Sequence, residues 1–433
     1  MPPTPADPPA QPAADELPLA DLESLTDVEN LPEVEGPSAP VAGEEAEEFH
    51  TDQVLTIVGG HFVHDSFSAF VAPLLPVIQE RLGTGYAATG GLSVFMQIPS
   101  LLNPFIGYLA DRVSLRYFII LAPGITATLT SSLGLVESYV LLALLLFTAG
   151  ISVATFHAPA PAMIARVAGR RVGTGMSLFM AGGELGRTLG PLLVVTAVGW
   201  WGIEGIWRLA FIGWAFSGVL YLRLRHVSAR PMARNQIGLR DLWPRIRRFY
   251  PAIVWIVLTK AFMVVALTTY LPIFMRDVQQ TSLWLAGASL SILEGAGVVG
   301  ALLTGTLSDR LGRIRVLFTV LILAPILLVA FLYAPQWLIF PLLMALGLTA
   351  ISPTPVILAL IQDTFPENRA MANGIFLTVA FLVRAVAIWV VGFLADHFGL
   401  QSAYLWSGLA ALLSVPGIFF LSSGRREGEG SRG

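Results

Sequence analysis

Apolar runs of about twenty residues, the length of helix that crosses a bilayer, recur a dozen times along this chain of 433 residues. No other feature limits the fold as strongly. Hydrophobic residues make up 55% of the chain and charged residues 13%, with a mean hydropathy of +0.71. A soluble domain carries about 25% charge. The composition therefore excludes an ordinary soluble protein and predicts an all-α membrane protein. There is no cysteine, so disulfides and thiolate metal sites are excluded.

The runs predict twelve spans: 53–76, 87–109, 117–135, 138–165, 174–198, 206–223, 250–273, 283–306, 315–333, 336–361, 371–394 and 402–422. Charge gives their orientation. With the N-terminus placed in the cytoplasm, 20 arginines fall on the cytoplasmic side, and only Arg81, Arg208 and Arg276 fall outside. The positive-inside rule then puts both termini in the cytoplasm. Residues 1–49 carry 13 acidic side chains and no Lys or Arg. They read as a disordered acidic cytoplasmic tail, and no basic segment leads into an apolar one as in a signal peptide. Residues 224–249 read as an arginine-rich linker between two six-helix bundles, 50–223 and 250–423. Residues 424–433 read as a second disordered tail.

The two bundles repeat each other. Gly107-Tyr108-Leu109-Ala110-Asp111-Arg112 returns 198 residues later as Gly305-Thr306-Leu307-Ser308-Asp309-Arg310. Leu75-Pro76 matches Leu271-Pro272, and Ala158-Pro159-Ala160-Pro161 matches Ser352-Pro353-Thr354-Pro355. Ser177-Leu178-Phe179 matches Gly374-Ile375-Phe376, in a register that sets Arg187 on Arg384. Repeated halves are how many transporters are built, with the substrate site between them.

The twin charged turns, twelve spans and long middle loop resemble the major facilitator superfamily. Gly186-x-x-x-Gly190-Pro191 is similar to that superfamily's antiporter motif. His61-Phe62-Val63-His64-Asp65, Gln97-Ile98-Pro99-Ser100, Phe156-His157 and Gly182-Gly183-Glu184-Leu185-Gly186 resemble its fosmidomycin-resistance branch more closely. The match to that branch covers spans 1 to 5; the second half matches at superfamily level. Ser114 replaces a glycine of the first turn, and Glu184 and Arg187 stand where the branch carries uncharged polar residues. The resemblance thus implies the fold and a transport role without fixing a drug. It also implies a cytoplasmic gate at the charged turns, made of Gly107, Asp111, Arg112 and Arg116 with Asp309, Arg310 and Arg313. There the Asp would cap the next helix and pair with arginine.

An ionisable group at membrane depth costs roughly 2.5–3.5 kcal/mol, so each one calls for a reason. His61, His64 and Asp65 share one face of span 1, and His157 lies in span 4. A buried carboxylate with histidines beside it can exchange protons near neutral pH, and the same groups can simply satisfy one another. A third reading is a divalent metal carrier that uses His61, His64, Asp65 and His157. Arg187 and Arg384, one from each half, suit a carboxylate, phosphate or phosphonate. Glu184 and Glu294 could instead neutralise them, and Lys260 aligns with His64. These five are the substrate-site candidates. No G-x-S-x-G, P-loop or H-E-x-x-H is present, so no enzyme is expected. The reading is a secondary transporter without a cofactor or resident metal. Its partners are protons, a small organic substrate and the bilayer, with no nucleic acid. Proton-coupled efflux by a monomer in a bacterial inner membrane is expected, with uptake symport as the alternative direction.

Overall fold

A computed structural model of the protein describes residues 48–102, 105–106, 109, 114–228, 239–365 and 369–429, and every regular element among them is helical. The acidic tail up to residue 47, residues Gly107, Asp111 and Arg112 of the first charged turn, residues 229–238 of the linker and the last four residues lie outside the described residues.

Ten helical stretches among the described residues are long and apolar enough to cross a membrane; dividing one of them at a kink and adding the shorter helix that begins at Tyr86 gives twelve helices. They are α1 (Thr51–Leu82), α2 (Tyr86–Gln97 with a tighter turn at Ile98–Leu102), α3 (Arg116–Leu135), α4 (Tyr139–Val167), α5 (172–201), α6 (203–224), α7 (Trp243–Asp277), α8 (Leu283–Leu311), α9 (Arg313–Leu332), α10 (Gln336–Thr364), α11 (Arg369–Phe398) and α12 (Leu400–Leu421). Helices α5 and α6 follow each other without a loop. They divide at Gly202, whose φ of 71° breaks the helical path in a conformation that a side chain disfavours.

Proline shapes the helices that matter for function. Pro161 has no N–H for the carbonyl of His157, and α4 breaks between His157 and Ala160. In α7 a π-turn, Ala266–Tyr270, precedes Pro272; in α10 another, Gly347–Ile351, precedes Pro353. Single π-turns often mark functional positions.

Within the first half, α1 packs on α5 and α3 on α6. Within the second, α7 packs on α11 and α12, and α9 on α12. Between halves, α2 meets α11, α5 meets α8, and α1 meets α7. The apolar core shows how the halves engage. One buried cluster spans both halves at the end where α1 turns into α2, joining Leu74, Leu75 and Ile206 with Tyr270, Phe274 and Tyr404. Toward the α2–α3 end the core divides into separate clusters, none of which joins the two halves. Val54, Phe156, Phe179 and Leu220 belong to one in the first half, and Ile253, Leu317, Phe365 and Phe376 to one in the second. The halves are thus joined at one end and separate at the other. Large apolar side chains such as Val140, Leu144, Phe211, Leu222 and Leu302 face outward, which suits lipid and not water. Trp200, Trp201, Trp207, Trp284 and Trp337 are exposed at the joined end, as in an interfacial aromatic belt.

Candidate functional site

Four glycines of α5 build the site. Gly182, Gly186 and Gly190 recur every four residues, and Gly183 lies beside them. A Cβ at Gly182 would stand 2.8 Å from the carbonyl oxygen of Val58, and one at Gly186 would stand 3.0 Å from the Ser66 nitrogen. At Gly183 it would sit 3.0 Å from Asp65 Oδ2 and press into the His61 ring. The absence of side chains lets α1 and α5 touch backbone to backbone. That contact places the polar stripe of α1 against Glu184 and Arg187.

Asp65 is the centre of the stripe, 1% exposed. His61 Nε2 lies 3.4 Å from its Oδ2, His157 Nε2 3.3 Å from Oδ1, and Arg187 Nη1 3.4 Å from Oδ2. Arg187 also pairs closely with Glu184, one turn before it on α5. His61 Nδ1 lies 2.7 Å from the carbonyl oxygen of Phe179. A carbonyl only accepts, so Nδ1 carries the proton and Nε2 faces Asp65. Neither His61 Nε2 nor Asp65 Oδ1 has a hydrogen-bond partner of acceptable geometry among the described residues. One carboxylate thus touches three basic groups without being fully bonded by them.

Two phenylalanines hold the imidazoles. His61 stacks on Phe179 with ring centroids 3.9 Å apart, and His64 stacks on Phe156 at 4.3 Å. The His64 ring is fully buried and neither nitrogen has a hydrogen-bond partner among the described residues. His64 thus leaves the Asp65 group: it shares the helix face but turns onto Phe156. Sequence reasoning assigned Phe156 and Phe179 no role, and their position in the chain gives no sign that they seat histidines.

The second half differs. Arg384 Nη2 donates to Thr268 Oγ1 at 3.0 Å and Thr269 Oγ1 at 3.3 Å. The π-turn of α7 brings these two consecutive hydroxyls to one guanidinium. No carboxylate lies within ion-pairing distance of Arg384 or of the buried Lys260 among the described residues. Glu294 stands within electrostatic reach of Glu184, Arg187 and Arg384, and on α8 its neighbour Gly295 faces Thr188 of α5. The candidates Glu184, Arg187, Glu294 and Arg384 therefore form one charged group across the boundary between halves. Lys260 lies apart from it.

The ends of the bundle carry further polar links. At the joined end, Asp396 of α11 accepts from the backbone N–H groups of Tyr86 at 2.6 Å and Ala87 at 3.0 Å, which are the first two of α2. The second half thereby caps a helix of the first. Tyr86 Oη donates to Asp277 at 3.0 Å, Arg276 to Glu80 at 3.2 Å, and Tyr270 Oη to the Ile388 carbonyl at 2.7 Å. None of these pairings was foreseen from sequence, because each partner is nearly 120 residues or more away. At the other end, Asp309 pairs with Arg313 at 3.3 Å, while Arg313 also binds Asp363 of α10 through Nε at 2.6 Å. The expected helix cap by Asp309 is absent, since Gly312 starts α9 with no side-chain cap. Arg310 is exposed, and Arg116 lies 5.3 Å from the Tyr117 ring.

A family description, Major Facilitator Superfamily, matches residues 57–354 and again 296–433. The chain belongs to this superfamily. The fosmidomycin resistance protein of Escherichia coli (strain K12) is 25% identical over 403 residues, covering 88% of this chain and 96% of that one. The multi-drug resistance efflux pump PmrA of Streptococcus pneumoniae serotype 4 is 25% identical over 376 residues, covering 82% and 92%. A bacterial homologue of the human lysosomal transporter Spinster, solved inward-facing and occupied, superposes with a TM-score of 0.69 at 16% identity, over 86% of this chain and 95% of that one. The superfamily protein described here is a multi-pass membrane transporter of small molecules and no enzyme.

Proposed function

We propose that the protein exports a small organic anion in exchange for protons. The observation that carries this reading is Asp65, a buried carboxylate touching His61, His157 and Arg187 at membrane depth. A proton arriving there has a histidine or a carboxylate to occupy. Its arrival changes the charge against which Arg187 is held, so it alters the link between α1 and α5. Arg384, paired among the described residues only to hydroxyls, and Lys260 supply positive charge from the other half for the anion. Glu184 and Asp65 neutralise Arg187 in this conformation, so Arg187 reaches a substrate only after leaving one of them.

Positive-inside topology puts both termini in the cytoplasm of a bacterial inner membrane. The joined end then faces outward and the end where the cores of the halves separate faces inward, ready to load substrate for export. The bundles 50–223 and 250–423 rock about the site between them, as a monomer. Two relatives named for resistance or efflux support the outward direction.

Inverted membrane vesicles holding a proton gradient test the proposal, with a pH-sensitive dye and a panel of phosphonates, organic acids and lipophilic cations. Gradient collapse on adding phosphonates or organic acids is expected, and loss of that response in Asp65→Asn. A response to cations alone would remove the anion from the reading.

A further inference from the structure

We propose that His61, Asp65 and His157 form a binding site for a divalent transition-metal ion of the zinc type. One ligand atom from each lies within 4.8 Å of the other two. The contacts, 3.4 Å from His61 Nε2 to Oδ2 and 3.3 Å from His157 Nε2 to Oδ1, are each close to the tetrahedral edge of about 3.3 Å that follows from metal–ligand bonds of about 2.0–2.1 Å, and the carboxylate spans the two imidazoles through its two oxygens. The bond from His61 Nδ1 to the Phe179 carbonyl is the outer support that ligating histidines use, and it points Nε2 at the site. His61 Nε2 and Asp65 Oδ1, both buried, lack hydrogen-bond partners among the described residues. A bound ion would satisfy them both.

Local charge favours a cation. Beside the site, Asp65 and Glu184 face the single guanidinium of Arg187. Arg187 lies 3.4 Å from Asp65 Oδ2, but its pairing with Glu184 lets it withdraw without losing a partner. His157, with a side chain 34% exposed, is the open side through which the ion and a fourth, water ligand enter. Two imidazole nitrogens and one carboxylate suit zinc or cobalt; calcium and magnesium want all-oxygen shells. His64 is outside the site, stacked on Phe156. An ion held here links α1 to α4 and occupies the Asp65 carboxylate.

The test is titration of the untagged, purified full-length protein in detergent with Co²⁺ alone. We expect about one equivalent bound per chain with the visible absorption of a four- or five-coordinate ion, and loss of that absorption when Zn²⁺ is added. His157→Gln, at the open edge of the site, should bind at least about tenfold more weakly, and so should Asp65→Asn. His226→Gln and His397→Gln should bind as the parent does. Melting without metal separates lost binding from lost fold, and if Asp65→Asn does not fold, His157→Gln alone decides. No visible band in the parent, a band that survives His157→Gln, or a band lost in His397→Gln would overturn the site.

Discussion

The two halves repeat one architecture and charge it in different ways. In the first, the repeat positions hold His64 and Arg187, and the guanidinium lies between Asp65 and Glu184. In the second, the same positions hold Lys260 and Arg384. Neither has a carboxylate within ion-pairing distance among the described residues, and Arg384 makes do with Thr268 and Thr269. Duplication therefore kept the helix packing and let the ionisable groups diverge. Under the proposed function, the first half neutralises itself and takes the proton, and the second, with Arg384 at the boundary, takes the anion.

The largest effect is expected from Asp65→Asn, which removes the one group that contacts all three basic side chains. Gradient-driven transport should fall at least about 100-fold, a loss typical of removing a proton-transfer group. The protein should stay folded because Glu184 still holds Arg187. Arg384→Gln should weaken anion binding about 10- to 100-fold, from the roughly 1.5–3 kcal/mol of a hydrogen bond to a charged group; equilibrium binding to purified protein measures it. Gly183→Ala forces a methyl group against His61 and Asp65, and overpacking of this kind costs about 1–3 kcal/mol. A lower melting temperature should appear together with reduced transport. Asp396→Ala removes the cap that joins the halves, worth about 0.5–2 kcal/mol. It should raise the population open at the α1–α2 end, measured as a longer spin-label distance between residues 83 and 399.

Much of this comparison is legible in the sequence. The apolar runs show the helices because lipid leaves no other use for them. The offset near 197 shows the halves, since Arg187 and Arg384 fall in register. The polar face of α1 shows Asp65 as a site because its burial needs a reason. The partners do not show. Asp396 is an unremarkable acid at the end of a span until it is seen on α2, 310 residues away. Arg187 reads equally well as a clamp or as a paired charge, and only the glycine contact between α5 and α1 puts it on Asp65. His64 and His61 share a helix face, but their opposite fates depend on where Phe156 and Phe179 lie. Thr268 and Thr269 reach one guanidinium through a π-turn, and no helical wheel puts consecutive residues side by side.

The central claim is a division of labour, with the proton on the first half and the anion on the second. Proteoliposomes test it most directly, using the anion found in the vesicle screen. Gradient-driven accumulation and gradient-free counterflow would be measured in Asp65→Asn and Arg384→Gln. The account predicts that Asp65→Asn loses accumulation and keeps counterflow, whereas Arg384→Gln loses both. Normal accumulation by Asp65→Asn, or unchanged counterflow by Arg384→Gln at limiting substrate, would contradict it.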